Sequence, residues 1–180
     1  MGLKPGNGDS YQQLYPVYQD ALTYKKLSVN GRNFEWDKDY SFSLQTIGSG
    51  DWSYNNTIFA GYGIVDSANK INDYANLDVK GKVVLVLEGS ATPAPAQSGR
   101  GMNNSPSSSF AKMRVAMTKG AAGLLVISSD FPRKNPTPVK GSMYLRKPTA
   151  AGFLMATIST EVATALVGRT SQLSVADFKN

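Results

Sequence analysis

The chain has 180 residues, a formal net charge of +6 and neither histidine nor cysteine. Those absences exclude serine and cysteine nucleophiles that rely on an imidazole base, and they remove the usual zinc ligands, which carboxylates normally only support. With 41% hydrophobic and 18% charged residues, the composition is that of one globular domain and not of a disordered or fibrous chain.

The charge is uneven. Residues 1–88 hold 8 Lys and Arg against 10 Asp and Glu, whereas residues 89–180 hold 11 against 3. The cations stand singly or in pairs, such as Arg133-Lys134 and Arg146-Lys147, without the runs that mark nucleic-acid binding. Solvated surface is the plain reading, and a face for acidic peptide groups or a partner domain the functional one. The longest apolar stretch, Ala121–Ile127, is far short of the ~20 residues that span a bilayer, so no membrane contact is expected. The opening Met1-Gly2-Leu3-Lys4-Pro5-Gly6 lacks the apolar segment of a signal peptide and reads as the start of a domain excised from a longer protein.

In chain order, residues 1–21 read as a linker or a strand borrowed from a neighbour, and residues 22–178 as a single folded domain. Leu27-Ser28-Val29 and Phe34-Glu35-Trp36 flank Asn30-Gly31, a pair suited to a hairpin turn because both positions need positive φ. Tyr40–Leu44 alternates with period two, as a half-buried strand does. Ile58–Val65 reads as a further strand whose glycines allow a bulge or a close backbone approach. Lys82–Leu87 is a continuous apolar run, the mark of a strand covered on both faces.

A helix is expected from about Ser109 to Lys119, with Phe110, Met113, Ala116 and Met117 as its buried stripe and Gly120 at its end. Leu124–Ser128 is a second buried strand. Strand, helix and strand make a βαβ unit with parallel strands, which places Leu85 beside Val126 under that stripe. Phe153–Ile158 is a last core strand. It leads into a short helix capped by Ser159, favoured by Glu161 and stopped by Gly168. Ser171–Phe178 returns as an edge strand. The fold class is α+β (mixed α/β), with antiparallel strands in front and a βαβ unit with short helices behind.

Ser109-Phe110-Ala111-Lys112 spells S-x-x-K, the arrangement of a serine nucleophile beside a lysine. The accompanying S-D-N and K-T-G elements are missing, so Ser109 reads as a helix cap and Lys112 as a solvent-facing side chain. Gly48-Ser49-Gly50 and Gly61-Tyr62-Gly63 do not complete a phosphate-binding loop. The aspartates form no calcium-loop pattern. Two long polar connections, 89–108 and 129–150, leave the C-terminal ends of the parallel strands, where open α/β sheets carry ligands. The second holds Arg133, Tyr144 and Arg146, a mixture of rings and cations able to hold a peptide. These three are the candidate binding residues.

Phe59-Ala60-Gly61-Tyr62-Gly63-Ile64, the stretch from Asp73 to Val86 with its D-V-K-G-K-V-V-L core, Lys119–Val126, and Ile158-Ser159 with Val162-Ala163 and Leu166 resemble a protease-associated (PA) domain. The likeness is to the version inserted in secreted zinc-dependent aminopeptidases related to glutamate carboxypeptidase. It spans roughly residues 2–170, and Gly2–Gly6 resembles the segment preceding that insertion. The resemblance implies a β-sandwich or barrel-like core with short helices, a non-catalytic role in substrate access or protein and peptide interaction, and a secreted or periplasmic location. It also implies a peptidase domain of the same polypeptide as partner and zinc held there, with no cofactor in this chain. A free-standing peptide- or protein-binding module is the alternative, and a Ser-Lys hydrolase a more distant one.

Overall fold

The computed structural model describes residues 12, 15–44, 51–91, 105–145 and 153–167. Its centre is a five-stranded sheet in the order β4-β11-β9-β8-β5. In chain order these strands are β4 (Tyr40–Phe42), β5 (Thr57–Phe59), β8 (Val83–Leu87), β9 (Gly123–Ile127) and β11 (Leu154–Ile158). The last four run parallel, and β4 closes one side antiparallel to β11. Three two-stranded ribbons surround this sheet: β1 (Tyr18–Ala21) with β10 (Lys140–Tyr144), β2 (Leu27–Val29) with β3 (Arg32–Phe34), and β6 (Val65–Asp66) with β7 (Ile71–Asn72). Among the described residues, two helices, α1 (Ser109–Thr118) and α2 (Thr160–Val167), join the strands in a mixed α/β fold. No helix among the described residues is long and apolar enough to cross a membrane.

Every residue of β8 and β9 is buried, as continuous apolar runs demand, and the two-residue side-chain period divides them between two cores. On one face Val83, Leu85, Leu87, Leu125, Ile127, Ala156 and Ile158 pack with Val29, Phe34 and Tyr40 and with Val162 and Ala163 of α2. On the other, Val84, Val86, Leu124 and Val126 pack with Met113 and Ala116 of α1 and with Ala60, Tyr74 and Val79. The β2–β3 ribbon lies against α2: Asn30 Nδ2 donates to the Ala165 carbonyl at 2.8 Å, and Arg32 pairs with Glu161. Its turn has φ +53° at Asn30 and +81° at Gly31, the conformation that residue pair favours. Ser159 caps α2, its Oγ accepting from Val162 N at 3.3 Å.

The structure corrects several expectations. Leu85 pairs with Leu125, and Val126 pairs with Val86, so Leu85 and Val126 lie on adjacent strands but on opposite faces. Phe110 and Met117 are about half exposed, while Lys112, Met113 and Ala116 are the buried residues of α1. The cap of α1 is Ser108, not Ser109, and its Oγ accepts from Ala111 N at 3.2 Å. The run from Ile58 to Val65 is not one strand. β5 ends at Phe59, and the chain turns through Gly61 (φ +51°) and Gly63 (φ +67°) before β6. A Cβ at Gly63 would stand 2.6 Å from Val86 Cγ1, so the backbone approaches the sheet where only glycine fits. The 129–150 connection contains β10, whose partner β1 comes from residues 18–21 of the same chain. The strand expected at Ser171–Phe178 and the stop at Gly168 lie outside the described residues.

Candidate functional site

Among the described residues, polar groups come together near the C-terminal end of the parallel strands, around Lys112 and beside β4. The first of these places is centred on Lys112. The stem of this residue runs from α1 past the end of β8, and the residue is only 1% exposed. Its ammonium donates to the Leu87 carbonyl at 2.6 Å and the Gly89 carbonyl at 2.7 Å. The nitrogen also lies 5.7 Å from the centre of the Tyr62 ring, within cation–π reach. Burial lowers its pKa to about 8, against an opposing pull from the Glu88 and Asp73 carboxylates. Glu88 itself is hydrogen-bonded to the buried hydroxyl of Ser128. The solvent-facing reading of Lys112 is therefore wrong. Its ammonium is engaged by strand-end carbonyls that would otherwise be left without a donor.

The second place is a cavity of about 460 Å³ beside β4, within the size range of small-ligand sites. Its lining includes Ser41, Arg133, Thr137, Lys140 and Thr157. It exists because of a row across the sheet: Val86 pairs with Val126, Val126 with Thr157, and Thr157 with Ser41. Paired residues share a face, so this row starts apolar under α1 and ends in two hydroxyls. The far wall is set by Asp37, which is held at φ +60°. Its carboxylate accepts from Thr137 N and Oγ1, and its carbonyl accepts from Arg133 N at 2.7 Å.

Arg133 thus lines the cavity, with its guanidinium 5.1 Å from the Phe131 ring centre. Its Nε is buried and has no hydrogen-bond partner among the described residues, an arrangement that costs about 1–3 kcal/mol unless relieved. Tyr144 lies farther along β10. Its ring stacks on Tyr18 at 6.4 Å, and a hydrogen bond to Asp20, with some burial, raises its phenol pKa. Arg146 lies outside the described residues. Sequence reasoning missed Ser41, Lys140 and Thr157. The period-two alternation of Tyr40–Phe42 was the available signal for Ser41. Among the described residues, no group of three or more Asp, Glu, His or Cys could hold a metal ion.

The fold and site define a small mixed α/β domain with a doubly covered parallel sheet and a cation-lined cavity beside β4. The PA-domain family model matches residues 53–166, more than half of the chain, and the chain belongs to that family. Among solved structures it is similar to an aminopeptidase from Aneurinibacillus sp. strain AM-1, at 18% identity and a TM-score of 0.47. That alignment covers 85% of this chain and 30% of the other, so the chain spans less than a third of that enzyme's length. No curated protein matches the sequence.

Proposed function

We propose that this PA domain is the non-catalytic accessory domain of a secreted or periplasmic zinc-dependent aminopeptidase-like exopeptidase, where it holds peptide substrate or shapes its access. The family match over residues 53–166 carries this reading. The unpartnered Nε of Arg133 beside an open cavity supports the peptide part of it. With no histidine or cysteine in the chain, the zinc of this reading belongs to a catalytic domain outside these residues. Exposed Val17, Tyr18, Met143 and Leu145 around the β1–β10 ribbon supply an apolar surface for such a domain.

Kinetics in the parent polypeptide test the reading. Replacing Arg133, Tyr144 and Arg146 together with Ala should raise KM or change substrate preference, while kcat for a minimal aminoacyl reporter stays unchanged. Identical kinetics across several peptides would move the role to docking of another domain. A full-length gene without a downstream H-x-D motif and further metal ligands would favour the free-standing peptide-binding module.

A further inference from the structure

The cavity beside β4 combines features that together describe a ligand. Its charged lining residues are Arg133 and Lys140, and no carboxylate lines it among the described residues. Of the acids nearby, Asp37 is already occupied by Thr137 and Asp20 is engaged by Tyr144. Ser41 is 2% exposed, yet it lines this space, and Thr157 sits beside it on the same row. A half-buried guanidinium held against Phe131, with its buried Nε lacking an acceptor, is a cation prepared for an anion.

The donors are side chains. The nearby amides of Arg133 and Thr137 are spent on Asp37, so the loop offers no nest of backbone N–H groups of the kind that captures a chain terminus. The planar guanidinium, one ammonium and two hydroxyls suit a carboxylate borne on a flexible side chain. Two cations around a bounded cavity are too few for a nucleic-acid backbone. We propose that this cavity is a subsite for the side-chain carboxylate of an Asp or Glu residue in a bound peptide, recognised by Arg133 and Lys140 with Ser41 and Thr157 as hydroxyl donors. The proposal rests on the peptide-binding reading above and names the residue class that the peptide carries.

Calorimetry with this chain and blocked heptapeptides, acetylated and amidated, tests it. One peptide has a central Glu and a second has Gln in its place. A third has the central Gln and a free C-terminal carboxylate. The Glu peptide should bind at least about tenfold more tightly than the Gln peptide, the scale of one charged hydrogen-bonded contact. R133Q should erase that preference, and K140Q, at an exposed position, should reduce it several-fold. S41A should weaken Glu binding without moving Tm by more than a few degrees. Equal binding of Glu and Gln peptides overturns the carboxylate subsite and leaves peptide binding standing. Preference for the free C-terminus overturns the side-chain assignment. Binding of none of the three overturns both readings.

Discussion

Lys112 Nζ donates to the main-chain carbonyl of Leu87 at 2.6 Å, so the helix that covers the sheet is fastened to the end of β8 by a buried cation. Replacing Lys112 with Met keeps most of the volume but leaves the Leu87 and Gly89 carbonyls without their donor. Each such loss costs about 1–3 kcal/mol, partly offset because a buried charge is removed. Urea unfolding of K112M should show a loss of about 2–4 kcal/mol. A change below about 1 kcal/mol would mean that water or another donor replaces the ammonium.

The same lysine gives the domain an alkaline signature. Its folded pKa of about 8 lies below the ordinary lysine value of 10.5, so above pH 8 the unfolded chain binds more protons at this site than the folded one. Its contribution to stability therefore rises with pH from about 8 to about 10.5, and is flat below. Tyr74 acts oppositely, because burial and then Asp73 push its phenol pKa up to about 12 from 10.0. Its contribution is complete below pH 10 and is lost as pH rises toward 12. Melting curves should show K112M losing the rise between pH 8 and 10, and Y74F losing part of the fall above pH 10.

Gly63 and Gly81 separate two costs of adding a methyl group. Both have positive φ, +67° and +69°. A Cβ at Gly63 would strike Val86 Cγ1 at 2.6 Å, whereas one at Gly81 meets nothing within 4 Å. G81A should cost about 1 kcal/mol from backbone strain alone. G63A should cost about 2–4 kcal/mol, because overpacking adds to that strain. Equal losses in denaturant unfolding would show that the turn moves freely away from β8.

Leu85 and Met117 measure the two sides of the core. Leu85 is 1% exposed, and L85A should cost about 2–5 kcal/mol, as buried leucine truncations do. Met117, about half exposed on α1, should cost under about 1 kcal/mol when changed to Ala. The reverse ranking would place the outer face of α1 in the core.

The sequence was most legible where one local rule decided the outcome. Asn30-Gly31 demands a left-handed turn, and two uninterrupted apolar runs can only be strands buried on both sides. It was less legible on α1, where apolar residues occur all round the helix, so periodicity alone could not tell the buried Met113 from the exposed Met117. The charge on Lys112 suggested solvent, but its long stem carries the ammonium to strand-end carbonyls that only the tertiary fold brings near. Gly61 and Gly63 were read inside one strand, as allowing a bulge or a close approach; the close approach, to Val86, is there, but within a turn. Arg133 stood out by its mixture of cation and ring neighbours. The cavity beside it depends on Ser41 meeting Thr157 across more than a hundred residues, a pairing no local pattern encodes.

That pairing also fixes the order in which the domain can be completed. In space, β11, the last strand among the described residues, is inserted between the early β4 and the middle β9. A nascent chain that has reached Tyr144 can already join β5, β8 and β9, but Tyr40–Phe42 has no place to dock until Leu154–Ile158 has emerged. Until then the β9 edge stays open, the kind of exposed strand that invites pairing with another chain. For the same reason a nick between β10 and β11 would not peel off an outer strand; losing Leu154–Ile158 would part the sheet from within and release β4 with it.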